Sequence, residues 1–169
     1  LCNHGMQPRY YHHFVGLNSR LDALQAAVLS VKLPKLDDWS AARARHAERY
    51  ATEFAQRGLG DVLVTPAVDE ACHHVWNQYT VRFTDGRRDE LQKYLSDRKI
   101  GSAIYYPVPL HLQKCFVALG CEPGSLPVTE QACREVLSLP VYPELTEAEQ
   151  SAVIDAVADF CQSSGRAAA

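Results

Sequence analysis

The 169-residue sequence contains no apolar run approaching the roughly 20 residues that a membrane-spanning helix requires. It has no block of like charge and no surplus of basic residues: 17 Lys and Arg stand against 20 Asp and Glu, for a net charge of −3. These absences remove any general attraction to nucleic acid or to an anionic membrane. Cysteine is present six times, at positions 2, 72, 115, 121, 133 and 161, but never as Cys-x-x-Cys and never at regular spacing. In a domain this large, without secretory features, that pattern excludes a disulfide framework and reads as reduced, mostly core thiols in a cytoplasmic protein. There is no Met at position 1 and no basic start leading into an apolar stretch, so no signal peptide is visible. The sequence begins in mid-pattern, as a chain that continues upstream of Leu1 would. Internal repeats are also missing.

What remains is 47% hydrophobic and 22% charged, enough for one domain with a real core. Residues 1–15 read as a loop rich in aromatics and histidine. Asn18 or Ser19 is the expected cap of a first helix, in which Leu21, Leu24, Val28 and Val31 share a face until Pro34. A second, long amphipathic helix is predicted over Asp37–Arg57, with Trp39, Ala47, Tyr50 and Phe54 on one side and Gly58 as a left-handed stop. Strands follow at Asp61–Val64, at Val75–Phe83 by its period of two, and at Ser102–Tyr106. Helices are predicted over Arg88–Arg98 and after Thr129, and Val136–Val141 returns as extended chain. Thr146 and Glu149 form a capping box for a last helix that buries Val153, Val157 and Phe160. The fold class is α/β, a small α+β sheet covered by helices and preceded by a long helix. The expected division is 1–36, 37–162 and a flexible tail at 163–169.

Three groups of residues invite a functional reading, each beside a plainer one. Asn18 at a loop-to-helix junction can donate to a phosphate oxygen, and Arg20 can clamp phosphate or carboxylate with two parallel bonds. Equally, Asn18 can merely cap the helix while Arg20 is solvated. Tyr105 and Tyr106, at a strand exit stiffened by Pro107 and Pro109, can bond a sugar hydroxyl or stack on a sugar face, or simply pack amphipathically. His73 and His74 diverge on extended chain and lack a second ligand cluster, so no metal site is expected.

The longer strings carry more. Gly16-Leu17-Asn18-Ser19-Arg20-Leu21-Asp22 with Gln25-Ala26-Ala27, and Tyr105-Tyr106-Pro107 with Pro109-Leu110-His111-Leu112-Gln113, resemble the DegT/StrS-type nucleotide-sugar aminotransferases, which depend on pyridoxal phosphate. His74-Val75-Trp76 and the run Leu126–Glu130 and Val136–Thr146 resemble the same family, in order, over nearly the whole chain. The resemblance implies that this is the C-terminal part of a pyridoxal-phosphate transferase fold, with the lysine that carries the cofactor upstream of Leu1 and no catalytic residue here. Lys32, Lys35, Lys93, Lys99 and Lys114 do not match that lysine.

By the same resemblance Asn18 contacts the cofactor phosphate across a homodimer interface. Arg20, Tyr105, Tyr106 and, with less support, His111 contact the nucleotide-sugar substrate. Tyrosine in place of the histidine that many relatives carry at 105 removes a group that titrates near neutrality, so Tyr105 is expected to bind and not to act as a base. The implied reaction moves an amino group, often from glutamate, onto a keto sugar nucleotide in amino-sugar and surface polysaccharide synthesis. Two alternatives stay open: a sugar dehydratase of the same family, with histidine at the lysine position, and a non-catalytic α+β binding domain.

Overall fold

The computed structural model describes residues 6–8, 10–11, 13–19 and 21–165, with side chains as far as Ser163. Two compact units divide at Asp38 and Trp39.

The first unit contains α1 (Ala23–Lys32), a 3₁₀ turn (Leu33–Lys35) and the opening of α2 (Leu36–Gln56). The cap of α1 is Asp22, not Asn18 or Ser19: its backbone is extended and its carboxylate accepts the Leu24 N–H at 2.8 Å. Asn18 is thereby left free of capping work. None of the α1 residues is buried, so Leu24, Val28 and Val31 form an exposed apolar stripe.

In the second unit the rest of α2 is followed by β1 (Leu63–Val64), β2 (Tyr79–Phe83), α3 (Arg88–Asp97), α4 (Pro127–Glu135), β3 (Val136–Leu139) and α5 (Glu147–Gly165). The sheet is antiparallel in the order β1-β2-β3, with Leu63 opposite Phe83 and Val81 opposite Leu137. Alternation along β2 sends Tyr79, Val81 and Phe83 inward, where they meet Tyr50 and Phe54 of α2, Leu91 and Leu95 of α3, and Ile154 and Val157 of α5. The opposite face is tied by Thr80 to Ser138 at 2.7 Å and by Arg82 to Glu135 at 2.7 Å. Each fully buried apolar side chain contributes about 1.5–3 kcal/mol, so this shared face dominates the stability.

Polar groups that go inside with the core are matched. Gln150 is fully buried at the α2–α5 contact; its amide donates to the His46 carbonyl at 2.7 Å, and its oxygen accepts from Arg49 at 3.3 Å. Arg49 also reaches Ser151 at 2.7 Å. Arg88 is buried and donates to the carbonyls of Val136 at 2.7 Å and Cys133 at 3.0 Å, locking α3 onto the α4–β3 junction.

Several elements differ from the sequence reading. Only Tyr79–Phe83 is strand within the predicted Val75–Phe83, because Trp76 takes a left-handed φ of 51° that no ladder accommodates. The His74 ring accepts the Trp76 N–H at 3.1 Å, and Trp76, not Val75, is the buried residue. Ser102–Tyr106 is not a strand: Ala103 alone exchanges bonds with Ser138, at 3.1 and 2.7 Å. A longer ladder needs Val136 next, but its N–H is spent on Ala132 O and its carbonyl on Arg88. Helix α4 begins at Pro127, two residues before Thr129, with proline where a missing N–H costs nothing. Residues 163–165 still belong to α5, and 166–169 lie outside the described residues. The capping box is present, Glu149 accepting from the Thr146 amide at 2.9 Å and Thr146 Oγ1 accepting from the Glu149 amide at 3.2 Å. Gly58 takes the left-handed φ of 69° expected of it.

Two buried tyrosines separate packing from hydrogen bonding. Tyr50 donates to the Pro140 carbonyl at 3.0 Å, whereas the Tyr79 hydroxyl has no partner among the described residues. Tyr50→Phe is expected to destabilise the fold by about 1 kcal/mol, and Tyr79→Phe to be neutral or stabilising by a similar amount. Chemical denaturation of both variants checks this.

The Thr146 hydroxyl and amide also hold the Glu149 carboxyl below its usual range. A lowered native value means that the unfolded chain binds the proton more readily. The stabilisation is therefore complete above the ordinary carboxylate pKa, about 4.3, and is lost as pH falls through the lower native value. The thermal midpoint should drop over that acid window, and Glu149→Gln should shrink the drop.

Candidate functional site

The segment after Ala103 leaves the sheet edge and carries the sequence-predicted tyrosines. Tyr105 is 46% and Tyr106 70% exposed, and their rings meet edge to face with centroids 5.9 Å apart. The peptide bond between them is cis. Neither ring packs in the core. Pro107 and Pro109 fix the backbone that follows, and a 3₁₀ turn over Leu110–Leu112 closes with Leu112 N–H on Pro109 O at 3.0 Å.

Both tyrosines line a cavity of about 480 Å³ whose far wall is the side of α4 bearing Thr129, Ala132 and Cys133. Tyr105 also lines a second cavity of about 550 Å³, beside Asn77, Gln78, Ser102 and Tyr142. Phenol hydroxyls and ring faces over an apolar floor make up a surface that can take a ligand which is itself polar at its edges and apolar on its faces.

His111 does not join the exposed tyrosines. Its side chain is 8% exposed, and Nε2 lies 3.2 Å from Glu130 Oε1; Nδ1 has no hydrogen-bond partner among the described residues. Glu130, in the first turn of α4, is buried as well. Its two oxygens accept the Gly124 N–H at 2.8 and 2.9 Å, and Oε1 accepts from Leu126 N at 3.4 Å. Burial pushes the Glu130 carboxyl up, but the hydrogen bonds from Gly124, His111 and Leu126 outweigh it and leave the group below its ordinary range. Glu130 is a buried charge beside the candidate site that the sequence reading passed over. Its one signal there was a charge in the first turn of a short helix, which also fits a solvated cap.

In the first unit, Asn18 is exposed and lines a cavity of about 520 Å³ with Leu21, Asp22 and Ala23. Its amide is available to an incoming oxygen anion. At the helix end beside it, the Asp22 carboxylate already occupies the Leu24 N–H. Arg20 lies outside the described residues. His74, considered for a metal, instead serves its own turn and packs on Trp76, ring centroids 4.1 Å apart. No described group of three or more His, Cys, Asp or Glu is placed to hold a metal ion.

Comparison with known proteins covers almost all of the chain. The DegT/DnrJ/EryC1/StrS aminotransferase family matches residues 1–158. A protein of Geobacillus stearothermophilus called pleiotropic regulatory protein is 48% identical over 93% of this chain and 41% of its own length. The dTDP-3-amino-3,4,6-trideoxy-alpha-D-glucose transaminase of Streptomyces venezuelae is 40% identical over 96% of this chain and 41% of its own. Among solved structures, S. venezuelae DesV in complex with a ketimine intermediate superposes with a TM-score of 0.86 at 39% identity, over 95% of this chain and 42% of that one. NtdA of Bacillus subtilis, with bound cofactor PMP, gives a TM-score of 0.78 at 30% identity, over 92% and 37%. The chain thus spans about 41% of the length of the curated relatives it matches. With an α/β architecture shared with these structures and a family match over residues 1–158, the chain belongs to the DegT/DnrJ/EryC1/StrS aminotransferase family.

Proposed function

We propose that the whole protein is a pyridoxal-phosphate-dependent aminotransferase that moves an amino group from an amino-acid donor, glutamate for preference, onto a keto sugar carried by a nucleoside diphosphate. The observation that carries this is the Tyr105–Tyr106 pair, two exposed phenols held by prolines over an apolar cavity, within a chain related to sugar transaminases. Hydroxyls recognise a sugar's hydroxyls, and ring faces cover its apolar face.

Bound pyridoxal phosphate supplies the electron sink that such a transfer requires. Within this chain the fitting donor is the exposed Asn18 amide, which offers one hydrogen bond to a phosphate oxygen, next to a helix end whose Leu24 N–H is taken by Asp22. Arg20 is proposed to grip the anionic part of the substrate, and Tyr105 and Tyr106 to bind and orient the sugar. His111 is not carried forward as a direct contact because its ring is turned inward on Glu130. The division into an interface segment at 1–36 and a small domain from 37 to the end of α5 belongs to the same proposal.

A homodimer completes the reading, with the amide and guanidinium of each chain serving its neighbour's pocket. The exposed apolar stripe of α1 supports it, since a helix with one apolar face and no buried residue is suited to a partner. We place the protein in the cytoplasm, in keeping with the five free cysteines among the described residues, of which Cys72, Cys115 and Cys121 are exposed and not in the core as the sequence suggested. None of the described helices is long and apolar enough to cross a membrane.

The regulatory name of the 48% identical relative favours a second reading, a sensor that binds without transferring nitrogen. Incubating the full-length protein with pyridoxal phosphate, glutamate and a panel of keto sugar nucleotides separates the two: an aminated sugar nucleotide supports the enzyme, and ligand binding without product supports the sensor. Asn18→Ala in that protein should weaken cofactor retention about tenfold, one charged hydrogen bond's worth, with folding unchanged. Equilibrium dialysis with absorbance of the bound cofactor reads it. Tyr106→Phe keeps the ring and loses the hydroxyl, so KM for the sugar nucleotide should rise about tenfold while kcat moves little.

A further inference from the structure

The Tyr105–Tyr106 segment has no ladder to hold it beyond Ala103. Prolines stiffen it, but stiffness alone does not set its distance from α4, the opposite wall of the cavity that both tyrosines line. Among the described residues, the side-chain hydrogen bond between His111 and Glu130 joins those walls. His111 follows directly on Leu110, a wall residue of the tyrosine side, and Glu130 directly on Thr129, a wall residue of the α4 side. Between them Nε2 and Oε1 stand 3.2 Å apart, with both side chains about nine-tenths buried.

The rest of the carboxylate's work is done without histidine. Gly124 and Leu126 donate to it from the chain entering α4, and these bonds hold that chain without the histidine. The bond to His111 reaches 19 residues back along the chain, to the turn after Pro109. An ionised carboxylate can only accept, so Nε2 is the donor of this bond.

We infer that Glu130 and His111 are positioning residues which set the width of the cavity beneath Tyr105 and Tyr106, and so fix how the tyrosines meet a sugar. This rests on the proposed aminotransferase reading for its substrate. It adds that sugar recognition depends on a buried pair which does not touch the sugar.

The test uses the full-length protein and the variants His111→Leu, His111→Gln and Glu130→Gln. Glutamine at 111 places a donor nitrogen near the position of Nε2, and leucine does not. Two readouts are taken: hydrogen–deuterium exchange of the peptides spanning 105–113, and KM and kcat with the keto sugar nucleotide. The expected result is faster exchange in His111→Leu and a KM raised about tenfold with a smaller change in kcat, both largely restored in His111→Gln. Should His111→Leu fail to fold, Glu130→Gln replaces it. That variant keeps an acceptor for Gly124 but weakens the link, and should speed exchange at 105–113 more than at 124–126. Unchanged exchange and KM in the leucine variant overturn the inference, as does a glutamine variant no better than the leucine one. If the wild-type protein aminates no sugar nucleotide, the functional reading fails, and the exchange comparison alone still decides whether the pair holds the segment.

Discussion

Burial of one face of β2 is the constraint around which the second unit is arranged. Tyr79, Val81 and Phe83 are removed from water almost completely, and no single neighbour could cover all three. The strand recruits Tyr50 and Phe54 from α2, Leu91 and Leu95 from α3 and the inner side of α5, with Leu137 and Leu139 extending the face along β3. Tyr50 stacks on Tyr79 with centroids 4.9 Å apart, so the longest helix and the central strand meet ring to ring. Because interiors of this density do not deform gradually, the edges of the sheet inherit fixed positions from this core.

From those edges the order passes outward through charged groups that would be costly to bury alone. Arg88 spends its donors on two carbonyls at the α4–β3 junction, and Glu130 spends its acceptors on the loop entering α4 and on His111. Each is satisfied where it lies, which is the condition for a charge inside a protein. The segment bearing Tyr105 and Tyr106 is therefore connected to the core through α4 as well as through the single Ala103–Ser138 bridge to the sheet. This is how a stretch without regular secondary structure can still present two side chains in a defined relation.

What the sequence revealed were the features with a local cause. The period of two in Tyr79–Phe83, the reciprocal Thr146–Glu149 cap, the glycine that ends α2 and the apolar side of α2 all depend on neighbours within a turn or two. Where the outcome hinged on distant partners, the reading erred. Nothing near Ser102–Tyr106 signals that Val136 has already given its carbonyl to an arginine 48 residues away. The alternation from Val75 onward looked continuous, yet it broke at the turn that buries Trp76. At the candidate site, the tyrosines drew a functional reading through the Tyr-Tyr-Pro resemblance, since their pattern alone fits ordinary packing equally well, whereas Glu130 drew none, since a carboxylate in a first helical turn is commonplace. For α1 the pattern showed an apolar face and the structure shows that face uncovered; the cap fell to Asp22 because a carboxylate one residue before the helix outcompetes an amide farther off.

The margins of the sheet carry a consequence of their own. At one side β1 is only two residues long, and at the other β3 is met by a single residue, Ala103, before Arg88 and Ala132 consume what Val136 could have offered a stranger. Pro140 then ends β3 with a residue that has no amide proton. A three-stranded sheet of this size would ordinarily be an inviting template for intermolecular strand addition. Here neither border offers a long run of unpaired strand, which lowers the tendency of this small, open sheet to add a strand from another molecule.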